Sequence, residues 1–211
     1  MKKGKFIVID GCDGAGKGTQ IEFLKKMYPD ALYTREPGGS PYGEEIRAVI
    51  LKSPNAKQAS ALTHLCLFFA ARHDHIKNII APALARGQNV ISDRFDSSTF
   101  AFQYSGMQGE GLLDLFFMLR EICLGDTTPD LYLFLDVDPK ESMKRTAARA
   151  GATGETNHFD ERAKDFHARI RDGYLEFQKR FSDSVKVVDA NGDRETVWKN
   201  IQQVLEPILN K

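Results

Sequence analysis

The stretch Phe6-Ile7-Val8-Ile9-Asp10-Gly11-Cys12-Asp13-Gly14-Ala15-Gly16-Lys17-Gly18-Thr19-Gln20 decides the fold. Phe6 to Ile9 is a short apolar run that reads as a strand, and the residues after Gly16 take up a helical apolar spacing. Between them Gly11, Gly14 and Gly16 let the backbone curl so that successive N–H groups point inward. A strand, a curled loop and a helix N-terminus together cradle phosphate: loop amides and the positive helix end attract the anion, and Lys17 can bridge the outer phosphates.

The spacing Gly11-x4-Gly16-Lys17 fits a P-loop, except that Gly18 follows the lysine and the hydroxyl is displaced to Thr19. A ligand-free glycine turn is the plain alternative, but both flanks supply the strand and helix that phosphate binding requires. A dinucleotide site is disfavoured because the glycines run Gly-x-x-Gly-x-Gly instead of Gly-x-Gly-x-x-Gly.

With 211 residues, 42% of them hydrophobic, the chain suits one α/β domain over residues 1–211 and is short for two. A formal net charge of zero removes the long-range field of a general nucleic-acid binder, so no nucleic-acid partner is expected. Cys12, Cys66 and Cys123 are odd in number and lack paired metal-type spacing, which points to a reduced, cytoplasmic protein. The apolar runs are too short for a signal peptide or a bilayer span, so no membrane association is expected.

Ala31 to Thr34 reads as a second strand delivering Arg35-Glu36-Pro37-Gly38-Gly39-Ser40-Pro41 to the sheet's carboxyl edge, where open α/β sheets bind ligands. Taken alone, that segment is equally a Pro/Gly turn with a surface charge pair. A short helix from Glu44 to Leu51 carries Arg47, and a long one from about Ser60 to Arg86 is apolar nearly all round. Within it Phe68 and Arg72 share a face: either a stacking floor and edge reader for a nucleobase, or a core ring beside a structural arginine. A third strand, Asn89 to Ser92, ends in Asp93-Arg94-Phe95-Asp96. A carboxylate there can hold magnesium directly or through water, and Arg94 would reach phosphate oxygens. The hydroxyls and amide of Ser97 to Gln103 bind a base or cap a helix. Leu112 to Leu124 reads as another apolar helix. Leu131 to Leu135 reads as a strand buried on both faces, and the helix opened by Pro139 carries Lys144, Arg145 and Arg149. The small residues that follow make a lid over about residues 149–161. A helix from Phe159 to Phe181 turns Phe166, Ile170, Tyr174 and Phe177 inward; a fifth strand, Val185 to Asp189, and a closing helix complete a parallel five-stranded α/β/α sandwich.

Over nearly its full length the chain resembles the thymidylate kinases, P-loop nucleoside monophosphate kinases. The resemblance rests on Gly11-Cys12-Asp13-Gly14-Ala15-Gly16-Lys17, Thr34-Arg35-Glu36-Pro37-Gly38-Gly39, Phe68-Phe69-Ala70-Ala71-Arg72, Asp93-Arg94-Phe95 with Ser98 and Gln103, and Leu135-Asp136-Val137-Asp138-Pro139. It implies the P-loop NTPase fold and transfer of a phosphoryl group from ATP to dTMP with magnesium, in a homodimer. Lys17 and the loop amides of residues 11–19 would hold the ATP phosphates, with Arg145 also on the ATP side. Asp93 and Thr19 would serve magnesium, with Asp13 near it and the transferred group. Arg94 and Arg47 would grip the dTMP phosphate, helped by Glu36 and Pro37. Phe68 would stack on thymine, Arg72 would read its edge, and Ser98, Thr99 and Gln103 would complete the pocket. Because a monophosphate is already largely ionised at pH 7, its second pKa lying at about 6, no general base is required.

The chain departs from the family pattern in several places. Gly14 stands where one branch has a catalytic arginine, so the chain resembles the bacterial-type branch that supplies it from the lid. Asn157-His158 replaces that branch's Asp-Arg, which leaves Arg149, with Arg145 or Arg162, for the transition-state charge. Phe95 replaces a common tyrosine and implies loss of a hydroxyl that helps reject ribonucleotides. The rival readings are another nucleoside monophosphate kinase and a non-catalytic nucleotide-binding homologue.

Overall fold

The computed structural model describes residues 3–153, 159, 162 and 164–209, the side chains at 149, 150 and 153 excepted. The strands are β1 (Phe6–Gly11), β2 (Leu32–Arg35), β3 (Val90–Asp93), β4 (Leu131–Asp136) and β5 (Val185–Asp189). They form one parallel sheet in the order β2-β3-β1-β4-β5. The strand order reverses at β1, which has β3 on one side and β4 on the other; ligands of open α/β sheets bind at such a point. Register brings Ile9 beside Asp93 and Arg35 beside Asp93, so the carboxyl ends of β1, β2 and β3 open on one edge.

Alternation along β1 builds the layers. Phe6 and Val8 enter one core with Phe95, Phe100, Phe116, Phe134 and Tyr174, while Ile7 and Ile9 enter a second with Leu24, Ile91, Leu133 and Ile201. Both faces being covered, the strands need near-continuous apolar sequence, which is what Leu131 to Leu135 supplies.

The helices are α1 (Lys17–Met27), α2 (Pro41–Lys52), α3 (Ala61–His75), α4 (Ala81–Ala85), α5 (Asp96–Thr99), α6 (Leu112–Leu124), α7 (Pro139–Thr153), α8 (Lys164–Arg180) and α9 (Arg194–Leu209). Several bounds differ from the sequence reading, each for a local reason. Helix α2 begins at Pro41 and not Glu44, because Ser40 caps it by accepting from the Gly43 N–H at 3.2 Å and Pro41 occupies the first turn, where no N–H is needed. The long helix expected to Arg86 is interrupted by a wider π turn over Ile76–Ile80. That turn accommodates Pro82, which has no N–H and whose ring would clash with a regular preceding turn. A second π segment, Phe100–Gly106, continues α5. Helix α7 runs on through Thr153, into the stretch expected to be irregular; alanines at 147, 148, 150 and 152 favour helix by more than Gly151 disfavours it. Helix α8 begins at Lys164, and Phe159, expected inside it, is a buried turn residue packed on Phe102 and Phe166.

Helix α8 lies close along the Phe100–Gly106 segment because Gly173 has no side chain. A Cβ there would come within 2.5 Å of Ser105 Oγ and 2.9 Å of the Ala101 Cα. This approach sets the depth of the neighbouring Tyr174. Replacement Gly173→Val is therefore expected to lower the free energy of unfolding by about 1–3 kcal/mol. Urea denaturation checks this, and an unchanged midpoint would show that the interface is not close-packed there.

Candidate active site

A cleft of about 1030 Å³ opens at the carboxyl edge of β1, β2 and β3. Ligand pockets span about 300–1,000 Å³, so this cleft stands at the large end of that range. One wall is the P-loop, with Asp13, Gly14, Gly16, Lys17, Gly18 and Thr19, and Arg145 borders the same side. The opposite wall carries Glu36, Pro37, Arg47, Phe68 and Gln103, and Asp93, Arg94 and Ser98 stand between. Most of the sequence-derived donor and acceptor side chains thus meet in one cleft, while Arg72 and Thr99 are buried behind its wall and the P-loop residues Gly11, Cys12 and Ala15 do not line it.

The loop from Gly11 to Gly16 leads into α1 through Gly16, which adopts the left-handed conformation at φ 87°. Lys17 is buried, and its Nζ donates to the carbonyls of Gly11 and Cys12 at 3.0 Å each. Burial, then the charge of Arg94, pulls its pKa below the ordinary lysine value. Burial also pushes the Cys12 thiol up to about 12, so at neutral pH it is protonated and contributes its backbone to the cradle.

The two small residues of the loop differ in their surroundings. A Cβ on Gly14 would lie 2.4 Å from the Ser142 carbonyl oxygen of α7, and Ser142 Oγ donates to the Asp13 carbonyl at 2.5 Å. Nothing lies within 4 Å of a Cβ built on Gly18. Helix α7 thus excludes any side chain at position 14, whereas position 18 is open.

Arg94 is the centre of the site. Its backbone is left-handed, at φ 70°, a conformation that costs a non-glycine residue about 1–2 kcal/mol. The segment is held there because Arg94 N–H donates to the Ile9 carbonyl at 2.9 Å and Ser92 Oγ donates to the Arg94 carbonyl at 2.8 Å. The guanidinium donates to Asp13 Oδ1 at 2.6 Å, Ser98 Oγ at 2.9 Å, the Gly11 carbonyl at 3.0 Å and Asp10 Oδ1 at 3.2 Å. Burial works against its charge, but Asp13, Tyr174 and Asp10 outweigh that and hold its pKa well above the ordinary value.

Asp10 and Tyr174 were not among the sequence-derived site residues. Asp10 is almost wholly buried, yet its carboxylate accepts from the Gly11 N–H, Ser97, Ser98 and Tyr174 as well as Arg94. Tyr174 sits in the apolar stripe of α8, where the spacing of Phe166, Ile170 and Phe177 makes it look like core; burial, then Asp10, raises its pKa well above 10, so it donates as a neutral hydroxyl. A polar residue ending an otherwise apolar strand was the available signal for Asp10. Arg35, Leu51, Lys52 and Phe102 also line the cleft and were passed over.

The second wall is ordered by Glu36. Its carboxylate accepts from Arg72 Nε at 2.8 Å, and Arg72 Nη2 donates to Thr99 Oγ1 at 2.9 Å. The Arg72 guanidinium lies between the rings of Phe69 and Phe95, at 4.8 and 5.1 Å. Its Nη1 has no hydrogen-bond partner among the described residues, and neither has either amide atom of Gln103. Arg47 Nη1 donates to the Pro37 carbonyl at 2.6 Å, and burial followed by the charge of Arg35 lowers its pKa. Thr99 and Phe95 depart from the sequence reading. Thr99 is fully buried and supports Arg72 from behind instead of lining the pocket. Phe95 packs edge-on against Phe6 in the core, so a hydroxyl on that ring would not meet a nucleotide, and the link to ribonucleotide rejection is withdrawn.

Asp93 ends β3, and its Oδ1 is buried with no hydrogen-bond partner among the described residues; Thr19 is exposed in the same cleft. A single carboxylate and a hydroxyl beside a phosphate cradle fit magnesium, which keeps several waters and takes phosphate oxygens. No group of three or more His, Cys, Asp or Glu residues able to hold a metal occurs among the described residues, which excludes there a dedicated protein cage. Arg145 is tied to Glu141 and to the carbonyls of Ala190 and Asn191, and Arg162 lies over Phe166. The Arg149 side chain and lid residues 154–158 lie outside the described residues.

The comparisons with known proteins bear on the family and the fold. The thymidylate kinase family pattern matches residues 9–201. The chain is 41% identical over 209 residues to a thymidylate kinase of Caulobacter vibrioides, covering 97% of each chain. It is 38% identical over 213 residues to one of Vesicomyosocius okutanii, covering 99% of this chain and 100% of that one. A crystal structure of thymidylate kinase from Ehrlichia chaffeensis superposes with a TM-score of 0.75 at 28% identity, covering 96% of this chain and 99% of that one. A family match spanning most of the chain, relatives of nearly equal length and a shared fold lead to one conclusion: the chain belongs to the thymidylate kinase family.

Proposed function

We propose that the protein transfers the γ-phosphoryl group of ATP to the phosphate of dTMP, giving ADP and dTDP. The observation that carries this reading is the two-walled cleft: a phosphate cradle faces a pocket with an aromatic wall, Phe68, backed by the amide of Gln103 and Nη1 of Arg72, which have no hydrogen-bond partner among the described residues. Such buried polar atoms are costly unless a ligand pairs them, and a pyrimidine edge offers both donors and acceptors.

Each residue has a role in that scheme. Lys17 and the P-loop amides hold the β- and γ-phosphates, and Arg145 borders the rest of ATP. Arg47 and Arg94 bind the dTMP phosphate, Arg94 held by Asp13 and Asp10 so that its charge is placed before substrate arrives. Phe68 stacks on the base, Arg72 and Gln103 read its edge, and Ser98 completes the nucleoside pocket. Magnesium would neutralise phosphate charge, and Asp93 and Thr19 would hold it with Asp13 nearby. Positioning and charge neutralisation suffice for phosphoryl transfer, so no protein nucleophile is needed. Arg149, carried on α7, supplies charge to the transition state. The exposed apolar residues Val49, Leu62, Met118 and Ile122 on α2, α3 and α6 support a homodimer. Three free cysteines support a reducing, cytoplasmic setting, and no helix of the described residues is long and apolar enough to cross a membrane.

With a panel of dTMP, dUMP, UMP, CMP, GMP and AMP, ATP consumption should be fastest with dTMP; equal rates across the panel would overturn the assignment. Lys17→Ala and Arg94→Ala should each lower kcat by at least about 10²–10³-fold. Arg149→Ala should lower kcat far more than it raises KM for ATP, and a loss confined to ATP affinity would remove it from the transition state. The P-loop glycines should part company: Gly18→Ser should keep activity and raise Tm slightly, while Gly14→Ala should impair both.

A further inference from the structure

We propose that His75 is a positioning residue that sets the base-reading guanidinium of Arg72 through the carboxylate of Glu36. This rests on the reading of Arg72 given above and extends it to a residue that touches neither substrate.

His75 is the last residue of α3 and is fully buried. Its Nδ1 lies 3.0 Å from Glu36 Oε1 and its Nε2 lies 2.6 Å from Thr34 Oγ1. Glu36 Oε2 accepts from Arg72 Nε at 2.8 Å, so the two carboxylate oxygens are gripped by two side chains one helical turn apart on α3. Thr34 and Glu36 flank Arg35 and face the same way.

Chemistry fixes the direction of the chain. A carboxylate paired with arginine only accepts, so the Nδ1–H of His75 donates to Glu36. Nε2 pairs with the Thr34 hydroxyl. His75 donates to Glu36, and Arg72 to both Glu36 and Thr99. With the carboxylate plane fixed at both oxygens and Arg72 fixed at Nε and Nη2, the guanidinium nitrogen without a hydrogen-bond partner among the described residues is Nη1. The His75 ring also fills the space beside Gly39, where an added Cβ would lie 2.3 Å from Nε2, so the turn accepts the ring only because position 39 has no side chain. Without the Nδ1 contact the carboxylate is free to rotate, and Arg72 loses its set direction while remaining buried between Phe69 and Phe95.

Steady-state kinetics of His75→Ala, His75→Asn, His75→Gln, Arg72→Ala and the Arg72→Ala/His75→Ala double variant test this. Asparagine places an amide N–H near the position of Nδ1; glutamine reaches toward that of Nε2. His75→Ala and His75→Gln should raise KM for dTMP about 10- to 100-fold, the effect of losing a hydrogen bond to a charged group. Their kcat and KM for ATP should stay within about threefold of the parent. His75→Asn should restore most of the dTMP affinity, and in the Arg72→Ala background the histidine change should add nothing. The preference for dTMP over dCMP, whose base edge presents an amino group to an arginine that can only donate, should fall in step with KM. Equal defects in the Asn and Gln variants, or parallel losses in kcat and in both KM values, would overturn the proposal in favour of a purely structural histidine. Should Arg72→Ala itself leave KM for dTMP unchanged, the base-reading role of Arg72 fails, and the proposal with it.

Discussion

The carboxylate of Asp10 is the interaction on which the site depends. Removing an ionised carboxylate from water costs several kcal/mol, and only a full set of donors recovers it. Here those donors come from four places: the first P-loop N–H, the serines of α5, Arg94 after β3 and Tyr174 on α8. One buried charge therefore locks together segments far apart in the chain. The donor cradle and the acceptor pocket are fixed relative to each other, which in-line phosphoryl transfer requires.

The same solution recurs on the other side of the cleft. Glu36 is buried and satisfied by Arg72 and His75, as Asp10 is by Arg94 and its neighbours. A third hub lies behind them: Asp96 accepts from Arg120 at 2.6 Å and Tyr132 at 2.7 Å, bracing the segment that carries Arg94 from the side away from the cleft. Among the described residues, Asp93 Oδ1, Arg72 Nη1 and the Gln103 amide are buried by the cleft without a hydrogen-bond partner, and a metal or a base can pair them.

Much of this was legible in the sequence, and the reasons it was or was not are physical. Parallel strands covered on both faces must be continuously apolar, so Phe6 to Ile9 and Leu131 to Leu135 announced themselves, and glycine and proline marked the ends. The P-loop and Arg94 were legible from glycine spacing and from a cation at a strand's carboxyl end, whereas Phe68 read equally as core and its place at the cleft, like that of Arg47, was an expectation carried by the family resemblance. Tyr174 was not, because a tyrosine in an apolar stripe looks like core whether or not its hydroxyl has a task. Arg72 and Phe68 share a helix face, yet one lines the pocket and the other stands behind it, a difference of depth that periodicity does not encode. Phe95 was misread for the same reason. The π turns and the extension of α7 depend on how Pro82 and the alanine-rich stretch are accommodated, which local propensity weighs only coarsely.

Helix α7 restricts the P-loop's composition. Its Ser142 carbonyl occupies the place of any side chain at position 14, and the Ser142 hydroxyl holds the Asp13 carbonyl, so the helix is seated on the loop. An arginine at position 14 would have to displace that helix. The helix that closes this route is the one that bears Arg145 into the cleft and continues to Arg149 and Thr153. Seating α7 against the loop thus leaves no room for a side chain at position 14 and brings Arg145 to the border of the cleft. An arginine supplied from that loop position is incompatible with the helix seated there.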